Sequence, residues 1–173
     1  LAQAGFNVRT HFDVTRAGMD QVLADIARQF DGAEISVLYY AGHAFQYNGQ
    51  NELLLVDVDE LTSAEIQKKS IALRDVLQLT APGGPGAAER LRLVIVDACR
   101  NDPFSAIDAA FQRGIAFEES GDTQTLIAYS TSAGQLAFDG PAGGNGPYAL
   151  AFSRALLTGG GITVSDALRS VRR

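Results

Sequence analysis

An α/β domain with a mainly parallel central sheet and helices on both faces is the fold class this sequence predicts. Short apolar runs rich in branched residues, at 35–40, 91–96 and 126–129, have the composition of interior strands buried on both faces of a sheet. Between and after them lie stretches whose apolar residues recur at three- and four-residue steps, the spacing of helices that cover such a sheet. Strand and helix alternate in order, which gives a three-layer arrangement.

In chain order, residues 7–14 are rich in β-formers after Gly5 and are expected to form a first strand. Thr15 is placed to cap a helix in which Met19, Val22, Leu23, Ile26, Ala27 and Phe30 make one apolar stripe, ended by Asp31-Gly32. After the strand at 35–40, a short helix over 73–79 crosses to the strand at 91, with 81–88 a Pro/Gly linker. Pro147 suits the first turn of a helix whose face is Tyr148, Ala151, Phe152, Ala155 and Leu156, stopped by the glycines at 159–161. Thr163 then caps a last helix with Val164, Ala167, Leu168 and Val171 on its apolar side.

The 173 residues suffice for one core and are too few for two ordinary domains, so a single domain over 1–173 is expected. Hydrophobic residues at 46% and charged residues at 20% exclude a disordered chain, and no apolar run nears the roughly 20 residues of a membrane span. With 14 Lys and Arg against 20 Asp and Glu, the net charge of −6 opposes nucleic acid as a partner. No targeting signal is visible, which makes the cytoplasm the expected compartment. The glycine clusters lack the Gly-Lys-Ser/Thr of a phosphate loop, so no cofactor is expected; no loop has the spacing of a calcium motif and no metal ligands are assigned, while the scattered Asp residues leave calcium dependence open.

In an α/β sheet, ligands gather beyond the carboxyl ends of the parallel strands. The first predicted strand of that kind runs into Ala41-Gly42-His43-Ala44, and the second into Asp97-Ala98-Cys99-Arg100-Asn101. If these strands are neighbours, an imidazole and the chain's one thiol meet at a common edge. A free thiol is only a few per cent ionised at neutral pH, and a histidine beside it can take its proton, so the pair can attack an acyl carbon. Backbone N–H groups at Cys99 and Ala44 would hold the developing oxyanion, and His43 would then protonate the leaving amine. The plain alternative is a buried filler thiol and a satisfied strand-end imidazole. His11, inside a predicted strand with no glycine turn or acid beside it, is read as structural.

These residues resemble a known family. Val37-Leu-Tyr-Tyr-Ala-Gly-His43, followed by Asn51-Glu-Leu-Leu-Leu-Val-Asp57, is similar to the histidine segment of caspase-like peptidases, especially paracaspases and bacterial orthocaspases. Leu93-Val-Ile-Val-Asp-Ala-Cys-Arg-Asn-Asp-Pro-Phe104 resembles their cysteine segment, and Tyr129-Ser-Thr-Ser-Ala-Gly-Gln-Leu-Ala-Phe-Asp-Gly140 the stretch after the next strand. The resemblance implies a caspase-hemoglobinase fold and a cysteine endopeptidase with His43 and Cys99 as its dyad. It further implies that Asp97, two positions before the cysteine, lines the pocket for the residue preceding the scissile bond, so that cleavage follows Arg or Lys in a peptide or protein substrate. Ala41, Ser130 and Asp139 are the other substrate-binding candidates.

Three departures from the family pattern bear on function. Ala44 stands where the family usually has Gly, which is harmless unless the backbone there needs positive φ. Ala41 stands where several metacaspases have a pocket-lining Ser. The family's leading strand and helix have no counterpart here, and that strand lies inside the sheet, so upstream residues or a second polypeptide are expected to complete it. The first and third departures favour an alternative, a catalytically weak caspase-like module serving interaction or regulation; retention of both His43 and Cys99 argues against it. The long stretch 100–125 carries Phe111-Gln-Arg-Gly114, and Arg113 is a candidate self-cleavage site under the basic preference.

Overall fold

The computed structural model describes residues 1–99, 104, 106–112, 115–121, 124–130, 144–158 and 163–171. The chain divides into two compact units, His11–Ala137 and Leu1–Thr10 with Phe138–Arg173. The larger unit runs α1 (Arg16–Phe30), β1 (Ile35–Tyr47), β2 (Gln50–Leu54), α2 (Ser63–Lys68), β3 (Ser70–Ala72), α3 (Leu73–Leu79), β4 (Leu91–Cys99), β5 (Phe111–Gln112) and β6 (Thr125–Tyr129).

Helix α1 begins where its sequence says it should. Thr15 is extended, and its hydroxyl accepts the Gly18 N–H at 3.2 Å, which satisfies one of the helix's orphan donors. Met19 and Leu23 are buried, and Val22 packs beside them. The start of α1 is also held from outside: Asp57 accepts the Arg16 N–H at 2.9 Å and binds the Lys69 ammonium at 2.5 Å.

The sheet order is β3-β2-β1-β4-β6. From Ile35 to His43, β1 runs parallel to β4, with Ile35 opposite Leu91 and His43 opposite Cys99. Beyond His43 the same strand continues as a hairpin with β2, where Ala44 faces Leu53 and Tyr47 faces Gln50. The turn is Asn48-Gly49, with φ of 50° and 78°, the pair of positive angles that a two-residue type I′ hairpin demands. Short β5 pairs antiparallel with Gln46 and Tyr47.

β4 is the central strand. Val94 and Ile95 have no exposure and Val96 has 1%, because β1 and β6 flank it and both of its faces are covered. On one face, Val94, Val96 and Ala98 meet Met19 and Leu23 of α1 and Leu73, Val76 and Leu77 of α3. On the other, beyond the end of β4, Phe45 of β1 meets Ile66 of α2 and the rings of Phe104 and Phe111, each 5.4 Å from Phe45 in edge-to-face geometry. The N-terminal end of β4 buries Arg92 completely; its guanidinium donates to the Leu77 carbonyl at 2.6 Å and to the hydroxyls of Thr80 and Thr125 at 3.1 and 2.8 Å.

Two expectations need correction. Residues 7–14 form no strand: Val8 is 40% and Phe12 82% exposed, and β-forming composition yields a strand only where a ladder partner exists. His11 accordingly lies in an irregular, exposed stretch. β6 was expected to be interior, yet among the described strands it pairs with β4 alone, and Leu126 is 38% exposed.

In the smaller unit, α4 (Pro147–Thr158) and α5 (Val164–Val171) pack against each other. Thr163 caps α5, accepting the Asp166 N–H at 3.1 Å while its own hydroxyl donates to the Asp166 carboxylate at 2.7 Å.

Candidate active site

Side chains alternate along a strand, so a face can be followed residue by residue. Leu38, Tyr40 and Ala44 of β1 enter the core under α1 and α3, which leaves Tyr39, Ala41 and His43 on the opposite side. On β4, Val94, Val96 and Ala98 enter that same core, leaving Ile95 and Asp97 opposite, with position 99 next in that series. The register makes His43 the Cα partner of Cys99 and Ala41 the partner of Asp97. Adjacent parallel strands lie about 4.8 Å apart, so positions 43 and 99 are neighbours at the carboxyl ends of both strands. The Cys99 side chain lies outside the described part of the structure.

His43 is exposed. Its backbone is held from below: the Tyr40 hydroxyl donates to the His43 carbonyl at 2.7 Å and lies 3.1 Å from the Leu54 carbonyl on β2. Burial pushes the Tyr40 phenol well above its ordinary range, so it stays a donor at physiological pH. Tyr40 can reach both carbonyls only because residue 42 is glycine; a Cβ there would stand 2.7 Å from the phenolic oxygen.

Asp97 is half-buried, and the Tyr39 hydroxyl donates to its Oδ2 at 2.5 Å, in the range of a charge-assisted hydrogen bond. Ala41, its ladder neighbour, is exposed and carries only a methyl group. On the other side, the Ser130 N–H donates to the Val96 carbonyl at 3.1 Å and carries the β4–β6 ladder one step further. Ile127 and Tyr129 face the core under α1 and α3, so alternation sets Ser130 on the Asp97 side. Its Oγ is buried and has no hydrogen-bond partner among the described residues. Asp139 and Arg113 lie outside the described residues.

Ala44 settles one departure. It is an ordinary β1 residue: among the described non-glycine residues only Asp13 and Asn48 have positive φ. Its methyl is 2% exposed within the core, so alanine fits this position without strain.

Three residues that the sequence analysis did not single out shape this edge: Tyr39, Tyr40 and Asn51. Asn51 is 2% exposed on β2. Its carbonyl oxygen accepts the Ala116 N–H at 2.8 Å, and its amide donates to the Ala116 carbonyl at 3.1 Å and to the Glu118 carboxylate at 2.9 Å. Glu118 also meets Arg74 at 3.2 Å, and its N–H donates to the Tyr129 hydroxyl at 3.3 Å. These bonds fasten the segment that follows residues 113–114 to the hairpin bearing His43. The Tyr-Tyr pair itself was the available signal, since consecutive tyrosines in a strand send one hydroxyl to each face.

Among the described residues no helix is long and apolar enough to cross a membrane. No match to the sequence is found among curated proteins. A family model, that of the caspase domain of the C14 peptidases, matches residues 1–173. With the α/β sheet and the strand-end edge described above, that match over the whole length means that the chain belongs to the caspase domain family.

Proposed function

We propose that the protein is a cysteine endopeptidase in which Cys99 attacks the scissile carbonyl and His43 moves the proton, first from the thiol and then to the leaving amine. The observation that carries this reading is the β1–β4 register, which makes positions 43 and 99 direct neighbours at the carboxyl ends of two parallel strands. The N–H groups of Cys99 and Ala44 are the proposed oxyanion donors, a role that the ordinary strand backbone at Ala44 supports. Asp97 is the proposed partner of a basic residue preceding the cleaved bond, supported by its place two residues before the cysteine and by its half-buried carboxylate. Arg113 is the proposed self-cleavage site.

The substrate is a peptide or protein with Arg or Lys before the scissile bond. Along Ile35–Leu38, β4 is the only strand partner of β1 among the described residues, and the proposed additional strand would add at that open edge.

A short Arg-terminated reporter amide tests the reading. Wild-type protein should hydrolyse it, and Cys99→Ala and His43→Ala should each reduce turnover by at least about a thousandfold. Hydrolysis that survives Cys99→Ala, or labelling by a thiol-reactive Arg-based inhibitor at no residue, defeats the assignment.

A further inference from the structure

We infer that Tyr39 is a positioning residue for Asp97, and that Asp97 Oδ1 and Ser130 Oγ together form the acceptor pair for an arginine guanidinium in preference to a lysine ammonium. The inference rests on the peptidase reading above and goes beyond it by naming the residue that aims the acid and the cation it suits.

An aspartate carboxylate turns broadly about its last torsion, so an unheld one offers its oxygens in many directions. Here the Tyr39 hydroxyl binds Oδ2 at 2.5 Å from the neighbouring strand. Tyr39 is the Cα partner of Ile95, not of Asp97, so its side chain reaches diagonally along the ladder. The residue directly opposite Asp97 is Ala41, which is exposed and whose methyl offers the carboxylate no hydrogen bond. With Oδ2 engaged, Oδ1 is the oxygen left for an incoming donor.

The second acceptor is Ser130 Oγ. It is buried with no partner among the described residues, on the strand flanking Asp97 from the other side. A buried hydroxyl without a partner is unfavourable unless a ligand supplies one, and a pocket beside a carboxylate is where a cationic donor would arrive. A guanidinium is a planar fork of five N–H donors that spans two separated acceptors, whereas an ammonium is a compact point charge. Two acceptors on adjacent strands, one anionic and one neutral, match the fork.

The test compares matched reporter amides ending in Arg, Lys and Gln on wild type, Tyr39→Phe and Ser130→Ala. Tyr39→Phe keeps the ring and loses only the hydroxyl. It should raise KM for the Arg substrate about tenfold, the worth of one hydrogen bond to a charged group, with kcat changed less than about twofold. Its preference for Arg over Gln should fall by the same factor. Wild type should favour Arg over Lys by about tenfold in kcat/KM, and Ser130→Ala should bring that ratio close to one. A Tyr39→Phe enzyme with unchanged KM, or with kcat lowered equally on all three substrates, overturns the positioning role and leaves a tether between β1 and β4. If Tyr39→Phe does not fold, Ser130→Ala carries the test, and an unchanged Arg to Lys ratio overturns the acceptor pair. Wild type that cleaves none of the three substrates overturns the peptidase reading and the inference with it; an active wild type with unaffected variants overturns the inference alone.

Discussion

The phenolic oxygen of Tyr40 occupies the space that a side chain on residue 42 would need, 2.7 Å from the position of its Cβ, with the ring carbon behind it at 2.9 Å. This contact gives Gly42 a reason unrelated to backbone freedom: it is not among the glycines with positive φ. The missing side chain lets a buried hydroxyl bridge two strands beneath the histidine. Gly42→Ala should therefore destabilise by about 1–3 kcal/mol, the usual cost of overpacking, and should lower turnover because the His43 carbonyl loses its donor. Tyr40→Phe removes the nearest atom but not the ring carbon, so combining the two changes should cost less than the sum of the single effects. A denaturant double-mutant cycle measures this, and strict additivity would show that the two residues do not compete for that space.

Ala44 lends itself to the opposite experiment. Restoring the glycine usual in the family should not raise turnover, because alanine already sits in ordinary strand backbone. It should instead cost about 0.5–1 kcal/mol through lost packing and added chain entropy. Urea denaturation and reporter hydrolysis on Ala44→Gly check both halves; a gain in kcat would mean that the methyl obstructs the oxyanion donor.

Asn51 holds the segment after residues 113–114 by three hydrogen bonds from one buried side chain. Asn51→Leu keeps the branched shape, though with bulkier ends, and removes all three, leaving the Ala116 N–H and carbonyl without their partner. The expected loss is about 2–4 kcal/mol, within the range for breaking a buried network. Segment 115–121 should become the first site of limited proteolysis, and the proposed self-cleavage after Arg113 should speed up. An unchanged proteolytic pattern would mean that other contacts hold the segment.

The parallel core was legible because 93–96 is an unbroken apolar run, and a strand buried on both faces can hardly be written otherwise. Both helix starts marked by Thr15 and Thr163 were legible for a similar reason, since a capping hydroxyl is a local device that needs no tertiary partner. What went unread was equally physical. Asn48-Gly49 is a strong hairpin signal, and Thr62 with Glu65 is a capping pattern, so β2 and α2 were available to closer reading. The strand expected at 7–14 failed because composition says nothing about whether a neighbour exists. At the candidate site, sequence placed His43 and Cys99 at strand ends, while the diagonal reach from Tyr39 to Asp97 depends on register, which no local pattern reveals.

Glu52 gives the hairpin a pH dependence whose sign is fixed. Burial raises its carboxyl above the ordinary value, with repulsion from Asp75 adding to the rise and the Ser70 hydroxyl, 3.0 Å from the carboxylate, opposing it. A carboxyl that holds its proton more tightly when folded favours the folded state while protonated. That contribution is complete below the unfolded value and is lost as pH rises through the folded one. At neutral pH ionised Glu52 is thus a net cost to the hairpin beside β3. Glu52→Gln keeps an oxygen to accept from Ser70 and carries no charge. The variant should melt above wild type at pH 7–8, and the gap should close as pH falls below the ordinary glutamate value of 4.5. Melting curves at pH 4 and pH 8 decide it: a gap that widens toward acid would show that Glu52 is stabilised as the carboxylate, and the burial argument for this strand would fail.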